Sequence, residues 1–121
     1  MIDNLYNKIG QILVMSCPDD AVKIVTGIEI AQENDAAGYY FNYYDNKNNK
    51  KEFKPVSKAR DDIFYTMLEI KKYFLDNNLT NGKPIWEGCI VEIDIKNSKI
   101  NFEFKYEPFI DVDVDVDDDD E

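Results

Sequence analysis

Apolar residues recur along this chain at two spacings, and the points where the spacing changes mark its elements. Ile2, Leu5, Ile9, Ile12 and Leu13 fall three to four apart, the stripe of an amphipathic helix running to about Val14. Asp3 sits in its first turn, where a carboxylate complements the helix dipole. Cys17-Pro18-Asp19-Asp20 stops that helix and turns the chain. From Ala21 the period becomes two: Val22, Ile24, Thr26, Ile28 and Ile30 share one side, which predicts a strand with one packed face. Gln32 to Ala37 reads as a turn. Tyr39, Phe41 and Tyr43 then alternate with Tyr40, Asn42 and Tyr44 in a second strand that carries aromatics on both faces. The polar run DNKNNK, Asp45 to Lys50, predicts a hairpin loop, and a short third strand over residues 51–54 would turn Phe53 inward.

Pro55-Val56-Ser57 opens the longest helix, with Ser57 expected as the N-cap and Asp61 and Asp62 near the positive end. Ile63, Met67, Ile70 and Phe74 form its core stripe, widened by Phe64, Leu68 and Leu75. Asn77 and Asn78 close it, and Gly82 and Pro84 lie in the loop beyond. The last segment is a hairpin. Cys89, Val91, Ile93 and Ile95 oppose Glu92, Asp94 and Lys96; after the Asn97-Ser98 turn, Ile100, Phe102, Phe104 and Tyr106 oppose Asn101, Glu103 and Lys105. These periods predict an α+β fold of order α-β-β-(β)-α-β-β. An antiparallel sheet of four or five strands would carry both helices on its apolar face, within one domain over residues 1–110. Its other face, charged and aromatic, is left for water or a partner.

Charge changes this picture mainly at one end. The chain has 25 Asp and Glu against 14 Lys and Arg, a formal charge of -11. Eight of those acids lie in DVDVDVDDDDE, Asp111 to Glu121, which contains no base. A run of like charges repels itself and buries little, so residues 111–121 are expected to form a disordered tail. Two roles are open for it: a solubilising extension, or an acidic arm, including Asp111, Asp113 and Asp115, that steers the chain toward a basic protein surface. Weak divalent-ion binding is a third and lesser reading, since the glycine and spaced ligands of a calcium loop are missing. Direct binding to nucleic acid is disfavoured by charge. No apolar run approaches a membrane span and no signal-peptide pattern is present, so a cytoplasmic setting without membrane association is expected. Cys17 and Cys89 form no Cys-x-x-Cys unit and have no histidine for company, so each reads as a small buried or half-buried thiol and not as a ligand or nucleophile, with a disulfide between them left open.

Catalytic chemistry has little to work with. Histidine is absent, which removes the commonest near-neutral acid-base group and metal ligand, and no phosphate-cradling glycine motif occurs. Glu92, Asp94 and Glu103 could converge as a carboxylate site for a metal-assisted enzyme. Interleaved Lys96, Lys99 and Lys105 explain them as cross-strand charge pairs. No cofactor and no metal site are expected. A protein-binding surface fits the pattern better. Tyr40 and Tyr44 fall beside these acids, where exposed tyrosines offer rigid contact area with a polar handle. Trp86, the sole tryptophan, is either a core brace between the loop and the long helix or a half-exposed interface anchor.

The chain resembles the YezG-like family of bacterial immunity proteins, antitoxins encoded beside polymorphic secreted toxins. The resemblance rests on the helix NLYNKIGQIL, the aromatic strand GYYFNYYD, the segment PVSKARDDIFYTMLEIKKYFLDNN and the hairpin KPIWEGCIVEIDIKNSKINFEFKYE, together about residues 3 to 107. Val56, Ser57 and Lys58 match the family's opening of the long helix. Trp86 matches a Pro-Trp position, although Ile85 separates it from Pro84, and Tyr106 and Glu107 match the closing segment. The acidic tail stands outside the resemblance. The family's role implies a non-catalytic inhibitor that binds a cognate toxin, often a nuclease, across its basic cleft. A generic adaptor domain using the same surface is the alternative, and a carboxylate-dependent enzyme the more distant one.

Overall fold

A computed structural model describes residues 2–110; the acidic segment, with Asp111, Asp113 and Asp115, lies outside them. The elements run α1 (Ile2–Ser16), β1 (Ala21–Ile30), β2 (Ala37–Asp45), β3 (Lys50–Glu52), α2 (Ser57–Asp76), β4 (Gly88–Asp94) and β5 (Lys99–Lys105). The strands form one antiparallel sheet of order β3-β2-β1-β4-β5, with both helices on one side of it. The α+β architecture and element order follow the periodicities of the sequence.

The core lies between helices and sheet. Ile9 and Leu13 of α1 and Ile63, Met67 and Ile70 of α2 meet Ile24 and Ile28 of β1 and Cys89 and Val91 of β4, all at 0% exposure. Side chains of this size gain roughly 1.5–3 kcal/mol each on full burial, so this layer supplies the main driving force for folding. Aromatics close its two ends. At the β2–β3 end Tyr39 stacks on Phe41, and Phe53 packs tilted against Phe41 and edge-on against Tyr43; Trp86, Phe74 and Phe104 interlock at the other. The Tyr39 hydroxyl also donates to the Arg60 carbonyl at 3.3 Å, tying β2 to α2.

Local departures from the sequence reading have local causes. A bulge between Ala21 and Lys23 turns Val22 out of the row it was expected to share with Ile24, and Ala21 is buried instead. Ser57 is not the N-cap. That position is Val56, in extended conformation and without a side-chain cap, while Arg60 donates to both the Pro55 carbonyl and Ser57 Oγ. The third strand is shifted to Lys50–Glu52, and Phe53 just beyond it donates its amide to the Phe41 carbonyl at 3.1 Å.

Asp45 organises the β2–β3 turn. Its Oδ1 accepts from the amides of Lys47 and Asn49, both at 2.9 Å, and its Oδ2 from Asn49 Nδ2 at 3.1 Å. Lys51 Nζ lies 3.5 Å away. Hydrogen bonds from Asn49 and Lys47, with the nearby Lys51 charge, hold the carboxyl down at about 2 from its ordinary 3.8. The unfolded chain therefore takes up this proton first. The stabilisation is complete above about pH 4 and disappears as pH falls through about 2. Denaturant titrations of the native protein should show that acid-side loss. Asp45→Asn should be less stable at neutral pH and lose less stability across the same window; an equally steep loss in the variant would assign the transition to other carboxylates.

Candidate functional site

Among the described residues no element of secondary structure covers the face of the sheet away from the helices, and strand register arranges its side chains in rows. Lys50, Tyr44, Lys23, Asp94 and Lys99 lie opposite one another across all five strands. The next row is Glu52, Asn42, Val25, Glu92 and Asn101, followed by Tyr40, Gly27, Ile90 and Glu103. Gly38, Glu29, Gly88 and Lys105 form the last. The face as a whole is mixed, with five carboxylates and four lysines, but the signs are sorted. Both middle rows hold glutamates and no lysine; every lysine stands in an outer row. Tyr40, Tyr44, Glu92, Asp94 and Glu103 thus share one surface, as their alternation predicts.

Two contacts shape that surface. Opposite Tyr40 is Gly27, and the tyrosine ring occupies the space a β-carbon at Gly27 would need. The ring therefore lies down on the sheet toward β4 and β5. Burial raises its phenol above the ordinary 10.0; Lys105 acts in the opposite sense, while Glu103, Glu92 and Tyr44 add to the rise. Tyr44 lies under Lys23, whose ammonium is 5.8 Å from the ring centroid. Val25 and Ile90, half-buried apolar residues in the middle rows, complete a tyrosine-aliphatic floor edged by glutamates. Sequence reasoning passed over them, although each is an apolar residue on the polar side of its alternation. That was the available signal.

The carboxylates do not converge as a catalytic set. Glu92 and Asp94 border a shallow recess together with Lys23 and Lys99, and Glu103 stands outside it, one row above Glu92 on the next strand. Asp94 is engaged by the β4–β5 turn, accepting from Asn97 Nδ2 at 2.8 Å and the Asn97 amide at 3.1 Å. These bonds, with Lys99 and Lys23, lower its pKa below the ordinary carboxylate value. Among the described residues no group of three or more His, Cys, Asp or Glu side chains could hold a metal ion. Cys89 is fully buried, and burial pushes its thiol to about 12, which removes it as a nucleophile.

Beyond β5 the chain returns to the open face. Phe109 sits against Gly88, where an added β-carbon would also strike the Ile28 carbonyl of the neighbouring strand. Glu29 Oε1 accepts from the amides of Phe109 at 3.3 Å and Ile110 at 3.0 Å. Tyr106 and Glu107 are exposed in the connecting bend. Trp86 requires a correction. It is 1% exposed, packed edge-on against Phe74 and tilted against Phe104, and is a core brace that the folded domain cannot present to a partner.

A protein-family model described as immunity protein YezG-like matches residues 2–120, and the chain belongs to this family. The match runs through most of the acidic segment, which the sequence resemblance had set apart from the family region. A search of curated proteins gives no match. Among the described residues, no helix is long and apolar enough to cross a membrane.

The Gly27–Tyr40 contact gives the face a direct test. Gly27→Ala should lift the Tyr40 ring off the sheet and cost about 1–3 kcal/mol of stability through overpacking. With its burial reduced, the Tyr40 phenol should titrate closer to 10.0, read from the Cζ resonance of labelled tyrosine. An unchanged titration would show that the ring does not depend on the missing β-carbon.

Proposed function

We propose that this protein is an immunity protein that binds a cognate bacterial toxin domain through the open face of its sheet and neutralises it without chemistry of its own. The observation that carries this reading is the sorting of that face: tyrosines and aliphatics over three central glutamates, with lysines confined to the outer rows. Membership of the YezG-like family supports it. A surface of this kind complements a cationic groove, and the toxin class it suits is a nuclease whose basic cleft normally receives a phosphate backbone. Occlusion of that cleft would inhibit stoichiometrically. The protein would act in the cytoplasm of the producing cell, where its partner is the toxin protein and not nucleic acid or membrane.

Co-purification from the native host, together with the product of the adjacent gene, tests the partner. A complex of ordinary size would bury about 1,200–2,000 Å² in total. On the face itself, Glu92→Lys and Tyr44→Ala should each weaken toxin binding at least about ten-fold, the scale of an interface contact worth 1.4 kcal/mol. Their melting temperatures should stay near that of the parent, because both side chains lie outside the core. Unaltered affinity in both variants would move the contact to the helical side; absence of any toxin partner would leave the adaptor reading in its place.

Glu29 holds the Ile110 amide at this surface, and the acidic segment follows Ile110 in the sequence. As a steering arm, it should act on association. Deleting residues 111–121 should slow kon several-fold at about 20 mM salt and leave koff nearly unchanged, with the difference fading as salt rises. Equal association rates would reduce the segment to a solubilising role, and a large rise in koff would mean that it makes a specific contact.

A further inference from the structure

We infer that β5 is a self-association edge, through which two copies of this chain pair antiparallel into one continuous sheet. The two edges of the sheet are unlike. β3 is only three residues long, Lys50-Lys51-Glu52, all exposed, a length and charge that resist strand addition. β5 is seven residues long without proline, and among the described residues β4 is its only neighbour. Its apolar side continues outward. Ile100, 37% exposed, borders a groove of about 360 Å³ against α1 together with Val14 and Met15, which are 42% and 85% exposed. Those two α1 side chains have no place in the core of their own chain.

A second copy is complementary to β5 in charge, and strand overlap then fixes the register. In an antiparallel pair, opposing residues point to the same face, so a symmetric β5 pair must centre on one residue. Centred on Phe102, Lys99 would face the partner's Lys105. Centred on Glu103, that carboxylate would face the partner's Glu103. Centred on Asn101, Lys99 faces the partner's Glu103 twice over, Asn101 faces its own amide, and Ile100 faces the partner's Phe102. Of these three registers only the last sets opposite charges against each other; centring on Phe104 would also set Glu103 against the partner's Lys105, but over only three residues of the strand, where the Asn101 register overlaps five. Glu103 now pairs with Lys105 at 2.9 Å on the surface, with 60% of the Glu103 side chain exposed, so exchanging that partner for Lys99 of a second copy sacrifices little. Pairing would also bring Val14 and Met15 toward the second copy and place the two open faces side by side. This inference does not depend on the identity of any toxin.

Sedimentation equilibrium on the full-length chain tests it. A species of twice the 14.1 kDa chain mass is expected. Glu103→Lys and Lys99→Glu should each raise the dimer dissociation constant about ten-fold by turning both attractive cross-strand pairs repulsive. The double variant carrying both reversals should return it to near the parent value, with circular dichroism melting confirming that all three variants are folded. A chain that stays monomeric at every soluble concentration overturns the proposal, as does a dimer indifferent to both single reversals. If only the chain ending at Ile110 dimerises, the acidic segment takes the edge in place of a second copy, and the proposal fails in that way.

Discussion

The constraint on which this structure depends is that β1 and β4 bury one face only. Ile24, Ile28, Cys89 and Val91 lie at zero exposure beneath the two helices, in one core with Ile9, Leu13, Ile63, Met67 and Ile70. Because side chains alternate along a strand, a slip of one residue would carry this entire set to the wrong side. Burial therefore fixes the register of the central strands, and the outer strands inherit it through pairing. The rows on the uncovered face are a consequence of the same register. No separate device is needed to bring Tyr40 opposite Gly27 or Ile90 opposite Glu103.

The uncovered face is nevertheless more ordered than a solvated sheet requires. Gly27 gives the Tyr40 ring a place to lie, and Gly88 lets the chain past β5 settle against the sheet with Phe109 on top. Glu29 accepts two backbone amides from residues about eighty positions away in sequence, so its charge holds Phe109 and Ile110 at a defined place on the sheet. Lysines at the margins and glutamates in the middle give the face a polarity that its near-balanced total charge conceals. Such an arrangement is suited to recognition by geometry, with the dense negative charge of the chain reserved for the segment that follows.

Most of the fold could be read from the sequence because one-sided burial writes a period of two or of three to four. The hairpin of β4 and β5 is the clearest case, its apolar and polar sides separated from Val91 through Lys105. What escaped were contacts between residues far apart or governed by local backbone geometry. Trp86 looked equivocal among Lys83, Pro84 and Glu87, since its partners Phe74 and Phe104 belong to other elements. Ser57 resembled a cap, but Arg60 engages it from within the first turn and leaves Val56 at the boundary. Val22 kept the apolar period and lost its place to a bulge that no neighbouring residue type announces. For the candidate surface, alternation identified the face but not its row order, which depends on strand neighbours. The Glu29 contact with Phe109 and Ile110 had no sequence signal at all.

The position of Trp86 has an optical consequence. The chain contains one indole, and it lies in an apolar aromatic nest on the helical side of the sheet, its Nε1 without a hydrogen-bond partner among the described residues. Its emission should be blue in the native state and shift to the red only when water reaches the core. An event confined to the opposite face leaves that environment alone. Tyr40 and Tyr44 lie on that face while Tyr39 and Tyr43 belong to the core side, so a single protein offers two separate reports: tryptophan for the integrity of the core, and the resonances of Tyr40 and Tyr44 for what arrives on the open sheet.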